Sequence, residues 1–201
     1  SVATLLLPVG LGALGWGGLR AFLAHPARAA FVGEVVIFTL VALASPINFS
    51  SGEREAVESR SILLPTVVFV LLLAWGMPYL DRRDRWTFDG DVARYAGVAI
   101  MLVGGFLRIW PMFVLGRRFS GLVAIQPGHE LVTTGPYRWL RHPSYLGAML
   151  GFVGWALVFR SGVGLVAVAL ALPPLLVRIE AEWHLESLEH GTRVAMLGAM
   201  F

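Results

Sequence analysis

The chain contains no cysteine and no lysine. The first absence excludes a disulfide, a thiolate metal site and a cysteine nucleophile; the second excludes a Schiff-base amine and leaves arginine as the sole basic side chain, 16 times over. Charge as a whole is scarce. Only 14% of the 201 residues are charged, where a soluble domain carries about 25%, so a surface facing water on every side cannot be covered. The net charge of +3 gives no basis for expecting nucleic acid. His184 and His190 stand six apart and do not share a helix face, so no metal is expected.

What the chain does have is apolar runs. With 57% apolar residues and roughly 20 needed to cross a bilayer, it has material for about five crossings. The predicted fold is all-α, a polytopic membrane helix bundle of five to six transmembrane helices in a single domain over 1–201. The runs are 2–24, 29–47, 61–80, 92–116, 144–159 and 163–177. No basic stretch precedes the first, which reads as a span and not a cleaved signal. Only Arg160, Ser161 and Gly162 separate the last two, each short for a span, so they read as a C-terminal helical hairpin whose second arm continues into water to about Glu189. On that helix Arg178, Glu182, Glu186, Glu189 and Arg193 fall on one stripe, the pattern of an ion-paired face.

Between the fourth and fifth runs lie residues 117–143, a loop too long to be a mere connection. With six crossings, the side that holds this loop carries eight arginines against five opposite. The positive-inside rule then makes the loop cytoplasmic, and the expected location is a bacterial inner membrane. Glu34 and Arg108 lie inside spans, where charge is costly enough to imply a purpose. Either they neutralise each other, or Arg108 holds an anionic group such as an acceptor's carboxylate. Arg20 and Arg94 are nearer span ends, where they can snorkel. Gly10, Gly12 and Gly15 match a dinucleotide fingerprint, but inside an apolar span they read as helix-packing residues, as do Gly147 and Gly151.

The richest stretch is 131–147. It gathers the turn Gly135-Pro136, the aromatics Tyr137, Trp139 and Tyr145, Arg138, Arg141 and His142, and ends in Pro143, suited to begin a helix. On spacing alone it also fits a basic loop against anionic headgroups. Gly135-Pro136-Tyr137-Arg138, then Arg141-His142-Pro143 with Tyr145 and Gly147, preceded by His129 and Leu131-Val132, resembles the isoprenylcysteine carboxyl methyltransferase family, itself similar to membrane phospholipid N-methyltransferases. The likeness runs from about Gly104 to Glu182. Residues 1–91 carry no recognisable signature, and 92–201 form the methyltransferase-like core, with 117–143 as its cofactor loop.

The resemblance implies S-adenosylmethionine-dependent methylation of a lipophilic acceptor arriving from the bilayer, with S-adenosylhomocysteine as product. An isoprenylcysteine-type carboxylate is the first acceptor it implies. Carried over by position, Tyr137, His142, Pro143, Tyr145 and Gly147 line the cofactor pocket. Gln126, His129, Leu131 and Gly135 contact the cofactor from the loop, and Arg178 and Glu182 close the site. Arg108, Arg178 and Glu182 are the candidate catalytic residues. The family has two adjacent glutamates where this chain has Glu182 followed by Trp183. Other readings left open are a phospholipid or small-thiol methyltransferase, an NADPH-dependent sterol-type reductase with a similar C-terminal region, and a non-catalytic membrane scaffold.

Overall fold

The computed structural model describes residues 2–44, 56–115, 140, 143–173 and 175–177, and the chain divides into two compact units, 1–166 and 167–201. Among the described residues every regular element is a helix: α1 (Val2–Trp16), α2 (Leu19–Leu23), α3 (Pro26–Ala44), α4 (Ala56–Arg82), α5 (Val92–Leu115), α6 (Pro143–Val158) and α7 (Gly162–Val177). The second unit's described residues, 167–173 and 175–177, are helical.

Among the described residues two helices are long and apolar enough to cross a membrane, Pro26–Ala44 and Val92–Trp110, fewer than the five to six crossings expected. Only 28% and 22% of these stretches are buried. A core helix of a soluble protein buries most of its apolar surface; here Ile37, Leu40, Leu102, Val103 and Phe106 all point outward. α1 packs on α4, α5 on α6, and α3 against both α5 and α6.

The first run is two helices, not the single one expected over 2–24. Gly17 and Gly18 have φ of 94° and 133°, a backbone closed to most side chains. The Gly18 and Gly17 amides donate back to the Ala13 and Leu14 carbonyls at 2.8 and 3.0 Å, the double bond of a Schellman stop. Arg28 then ties down the short α2. It donates to the Phe22 carbonyl at 2.7 Å and the Ala21 carbonyl at 3.3 Å, and its guanidinium lies 3.8 Å from the centre of the Trp16 ring.

The turn before α3, the loop after α4 and the turn after α6 meet at one end of the bundle. Asp81, whose side chain is wholly buried, accepts two hydrogen bonds from Arg94 at 2.7 and 2.9 Å and one from Arg160 at 2.9 Å. Arg94 also donates to the Val158 carbonyl at 2.8 Å, and Arg160 reaches Asp84 at 2.9 Å. Arg94 therefore does not snorkel: it is 5% exposed, because its partner waits across the 83–91 loop instead of in the headgroups. Burial works against the Arg160 charge, but its hydrogen bonds to Asp81 and Asp84 outweigh that and hold its pKa above the ordinary value.

Backbone bonds reinforce the ion pairs. Phe88 donates to the Arg160 carbonyl at 2.9 Å and Gly162 to the Trp86 carbonyl at 2.8 Å, around the isolated bridge between Thr87 and Ser161. Ser161 caps α7 by accepting the Gly164 amide at 3.0 Å. Beneath lies the aromatic core, where Phe159 contacts Phe22 at 5.8 Å and Phe31 at 5.4 Å between ring centres.

Candidate functional site

The seam between α5 and α6 runs from the ion-paired end of the bundle to the opposite end. Four glycines set it. A Cβ on Gly97 would stand 2.6 Å from the Gly154 carbonyl oxygen, and one on Gly104 would stand 2.6 Å from the Gly151 amide. From the other side, a Cβ on Gly154 would meet the Gly97 oxygen, and one on Gly147 would meet both the Gly104 oxygen and the Arg108 amide, each at 2.6 Å. Backbone therefore rests on backbone along the whole contact, the close approach that small residues permit between membrane helices. The glycines recur every seven residues on each helix, 97 and 104 on one, 147 and 154 on the other.

This seam decides where Arg108 goes. Because Gly147 touches the Arg108 backbone, the side chain falls on the first turn of α6, where it donates to Ser144 Oγ at 2.8 Å and to the Ser144 carbonyl at 3.3 Å. Pro143 opens α6 and is fully buried, Tyr145 is half-buried, and Arg108 itself is exposed. Arg108, Pro143, Tyr145 and Gly147 are thus brought to one place. Ser144 belongs with them and was not among the expected site residues; its signal is its position directly after a helix-opening proline.

Arg108 and Glu34 do not neutralise each other by a hydrogen bond: both Glu34 carboxylate oxygens are buried without a hydrogen-bond partner. Gln126, His129, Leu131, Gly135, Tyr137, His142, Arg178 and Glu182 lie outside the described residues, as does nearly all of the 117–143 loop. A shallow apolar groove of about 220 Å³, lined by Ala99, Ile100, Val103 and Leu150, runs along the outer side of the seam.

Of the first span's glycines, Gly15 lies against α4, where a Cβ would stand 2.5 Å from the Trp75 carbonyl oxygen, while Gly10 faces open space. That is the geometry of helix packing, not of a phosphate loop.

Residues 97–186 match the model of the Isoprenylcysteine carboxyl methyltransferase (ICMT) family. The matched region begins at the first glycine of the seam and takes in α5 from Gly97 onward, α6 and the segment between them, so the resemblance read from the motif at 129–147 is upheld. Among curated proteins the chain is 33% identical over 85 residues to the uncharacterized protein YpbQ of Bacillus subtilis, covering 42% of this chain and 51% of that one. It is 36% identical over 78 residues to the protein-S-isoprenylcysteine O-methyltransferase A of Arabidopsis thaliana (38% and 40% covered). Over 72 residues it is 36% identical to the enzyme of that name from Saccharomyces cerevisiae (35% and 30% covered). The matched part spans about half or less of each of these relatives. No solved structure matches the chain significantly.

Proposed function

We propose that this chain is an integral membrane methyltransferase of the ICMT type, which moves a methyl group from S-adenosylmethionine to the carboxylate of a lipophilic, isoprenylcysteine-like acceptor. The observation that carries the reading is the family match over 97–186, centred on the helix pair whose seam sets Arg108 on Ser144.

The donor set suits both ligands. Tyr145, beside Ser144 at the head of α6, offers a ring face to a sulfonium or an adenine, and Arg108 offers a guanidinium to an anion. By position in the motif, Tyr137, His142 and Pro143 line the cofactor site with Tyr145. Gln126, His129, Leu131 and Gly135 reach it from the loop, and Arg178 and Glu182 close it. Gly147 contributes by admitting the Arg108 backbone. Bound S-adenosylmethionine supplies an electrophilic methyl on a positively charged sulfur.

The protein's own residues then have a positioning task. Methyl transfer to an ionised carboxylate needs neither a protein nucleophile nor a general base, only alignment in a site shielded from water. Arg108 holds the acceptor's carboxylate, Ser144 fixes the guanidinium, and the apolar groove beside Val103 and Leu150 takes the first part of the hydrocarbon chain. The loop 117–143 lies on the cytoplasmic side in this reading, where the cofactor is made.

The test is calorimetric titration of the full chain, in detergent or nanodiscs, with S-adenosylmethionine, followed by transfer of labelled methyl to a farnesylated cysteine. Saturable binding is expected, weakened about tenfold or more by His142→Ala or Arg178→Ala, the loss of one charge-assisted hydrogen bond. Folded protein that binds no S-adenosylmethionine would falsify the proposal; binding without methylation of the farnesylated cysteine would refute the acceptor alone.

A further inference from the structure

α3 carries a carboxylate where a membrane-crossing helix has least tolerance for one. Glu34 is the ninth of the nineteen residues from Pro26 to Ala44, at mid-length. It is 6% exposed, and neither carboxylate oxygen has a hydrogen-bond partner. A buried polar group in this setting costs stability unless something bonds to it, and an ionisable one inside a span points to a site.

A second orphan lies across the helix contact. Trp155 of α6 is 8% exposed, and its indole Nε1–H is also buried without a partner. Its ring stacks at 6.2 Å on Phe31, which stands one turn before Glu34 on the same face of α3. α3 runs away from the ion-paired end and α6 runs towards it. Because helical side chains lean towards their own N-termini, Glu34 leans towards the level of Phe31, and Trp155, on the antiparallel α6, leans in the opposite sense. Beside Glu34, Gly33 has open space where a Cβ would stand. Among the described residues one further buried side-chain atom lacks a hydrogen bond, Arg94 Nε, which has Asp91 at 3.4 Å and belongs to the ion network.

The two orphans select a chemistry. Glu34 offers acceptors and Trp155 a donor. A cation would answer the carboxylate but leave the indole hydrogen pointing at positive charge. A carboxylate or phosphate would accept from the indole but repel Glu34. A single neutral O–H group satisfies both at once. We propose that Glu34 and Trp155 form the polar end of a binding site for one hydroxyl inside the bundle, its oxygen accepting from Trp155 Nε1 and its hydrogen donated to a Glu34 oxygen. The hydroxyl comes either from a trapped water or from an alcohol dissolved in the membrane. Of its two residues, Glu34 lies outside the family match at 97–186 and Trp155 inside it.

Both sources can be read at the indole proton of Trp155. The full chain, labelled with ¹⁵N at tryptophan, is placed in phosphatidylcholine nanodiscs. The Trp155 indole peak is assigned by its absence in Trp155→Phe and, independently, by its through-bond link to the Trp155 backbone, so no variant has to fold. A bound water gives a cross-peak between this proton and water. An alcohol site gives a saturable shift on titration with 1-dodecanol that the same amount of dodecane does not produce. Either result supports the site and names its occupant, and Glu34→Leu is expected to abolish it. A Trp155 indole with neither a water cross-peak nor an alcohol-specific shift overturns the proposal, as does a signal that Glu34→Leu leaves unchanged. If Glu34→Leu does not fold, the wild-type measurements decide alone.

Discussion

The two ends of the bundle use arginine in opposite ways. At one end Arg94 and Arg160 are held by the buried Asp81, and the 83–91 loop is stitched to the turn at 159–161 by backbone hydrogen bonds. At the other end Arg108 is exposed and donates to the hydroxyl and the carbonyl of Ser144. A guanidinium whose charge is already matched serves the fold. In the proposed function Arg108 instead faces the acceptor, so the comparison is between an end that serves the fold and an end proposed to serve a ligand.

That contrast can be broken by substitution. The largest effect is expected from Asp81→Ala, which leaves buried Arg94 uncompensated and should cost about 3–5 kcal/mol of stability in reversible unfolding in detergent. A loss below about 1 kcal/mol would mean that the network is ornamental. Next comes Arg108→Ala. It should raise the acceptor KM about tenfold or more while moving stability by only about 0.5 kcal/mol, since an exposed side chain is removed. Equal damage to stability would place Arg108 with the structural arginines.

Gly104→Val tests the seam that joins the two ends. A side chain where α6 backbone stands at 2.6 Å should overpack the contact by about 1–3 kcal/mol. Cofactor affinity measured by calorimetry should fall with it, because the first turn of α6 is displaced. The smallest effect is that of Ser144→Ala, about 1 kcal/mol or less, the net value of an ordinary hydrogen bond. It should appear in the acceptor KM and not in cofactor binding; the reverse would assign Arg108 and Ser144 to the cofactor.

Periodicity and composition made much of the fold legible. α5 was expected over 92–116 and runs Val92–Leu115; α6 was expected over 144–159 and runs Pro143–Val158. In both cases an abrupt change from charged or turn residues to apolar ones marks the boundary. The break at Gly17 and Gly18 was not legible, because glycine is common within membrane helices and a left-handed backbone leaves no mark on hydropathy. The burial of Arg94 was hidden for a related reason. Distance from a span end says where a side chain can reach, but not that Asp81, on the preceding helix, will meet it.

The candidate site shows the same division. Arg108 stands out in sequence because charge inside an apolar run is rare, and the motif around His142 stands out because several residue types recur in order. Ser144 does not, since its partner is 36 residues away and only the glycine seam brings the two together.

The seven-residue spacing of the seam glycines also acts as a ruler on the length of the chain. Inserting one residue between Gly97 and Gly104 would rotate everything beyond it by about 100° relative to Gly97, so that the contacts of Gly97 on one side and of Gly104 and Arg108 on the other could no longer be kept together. An insertion of the same size beyond Leu115 leaves both contacts in register. The seam therefore sets the length of the two helices that frame the segment between α5 and α6, and any limit on the length of that segment must come from the ligand it is proposed to hold.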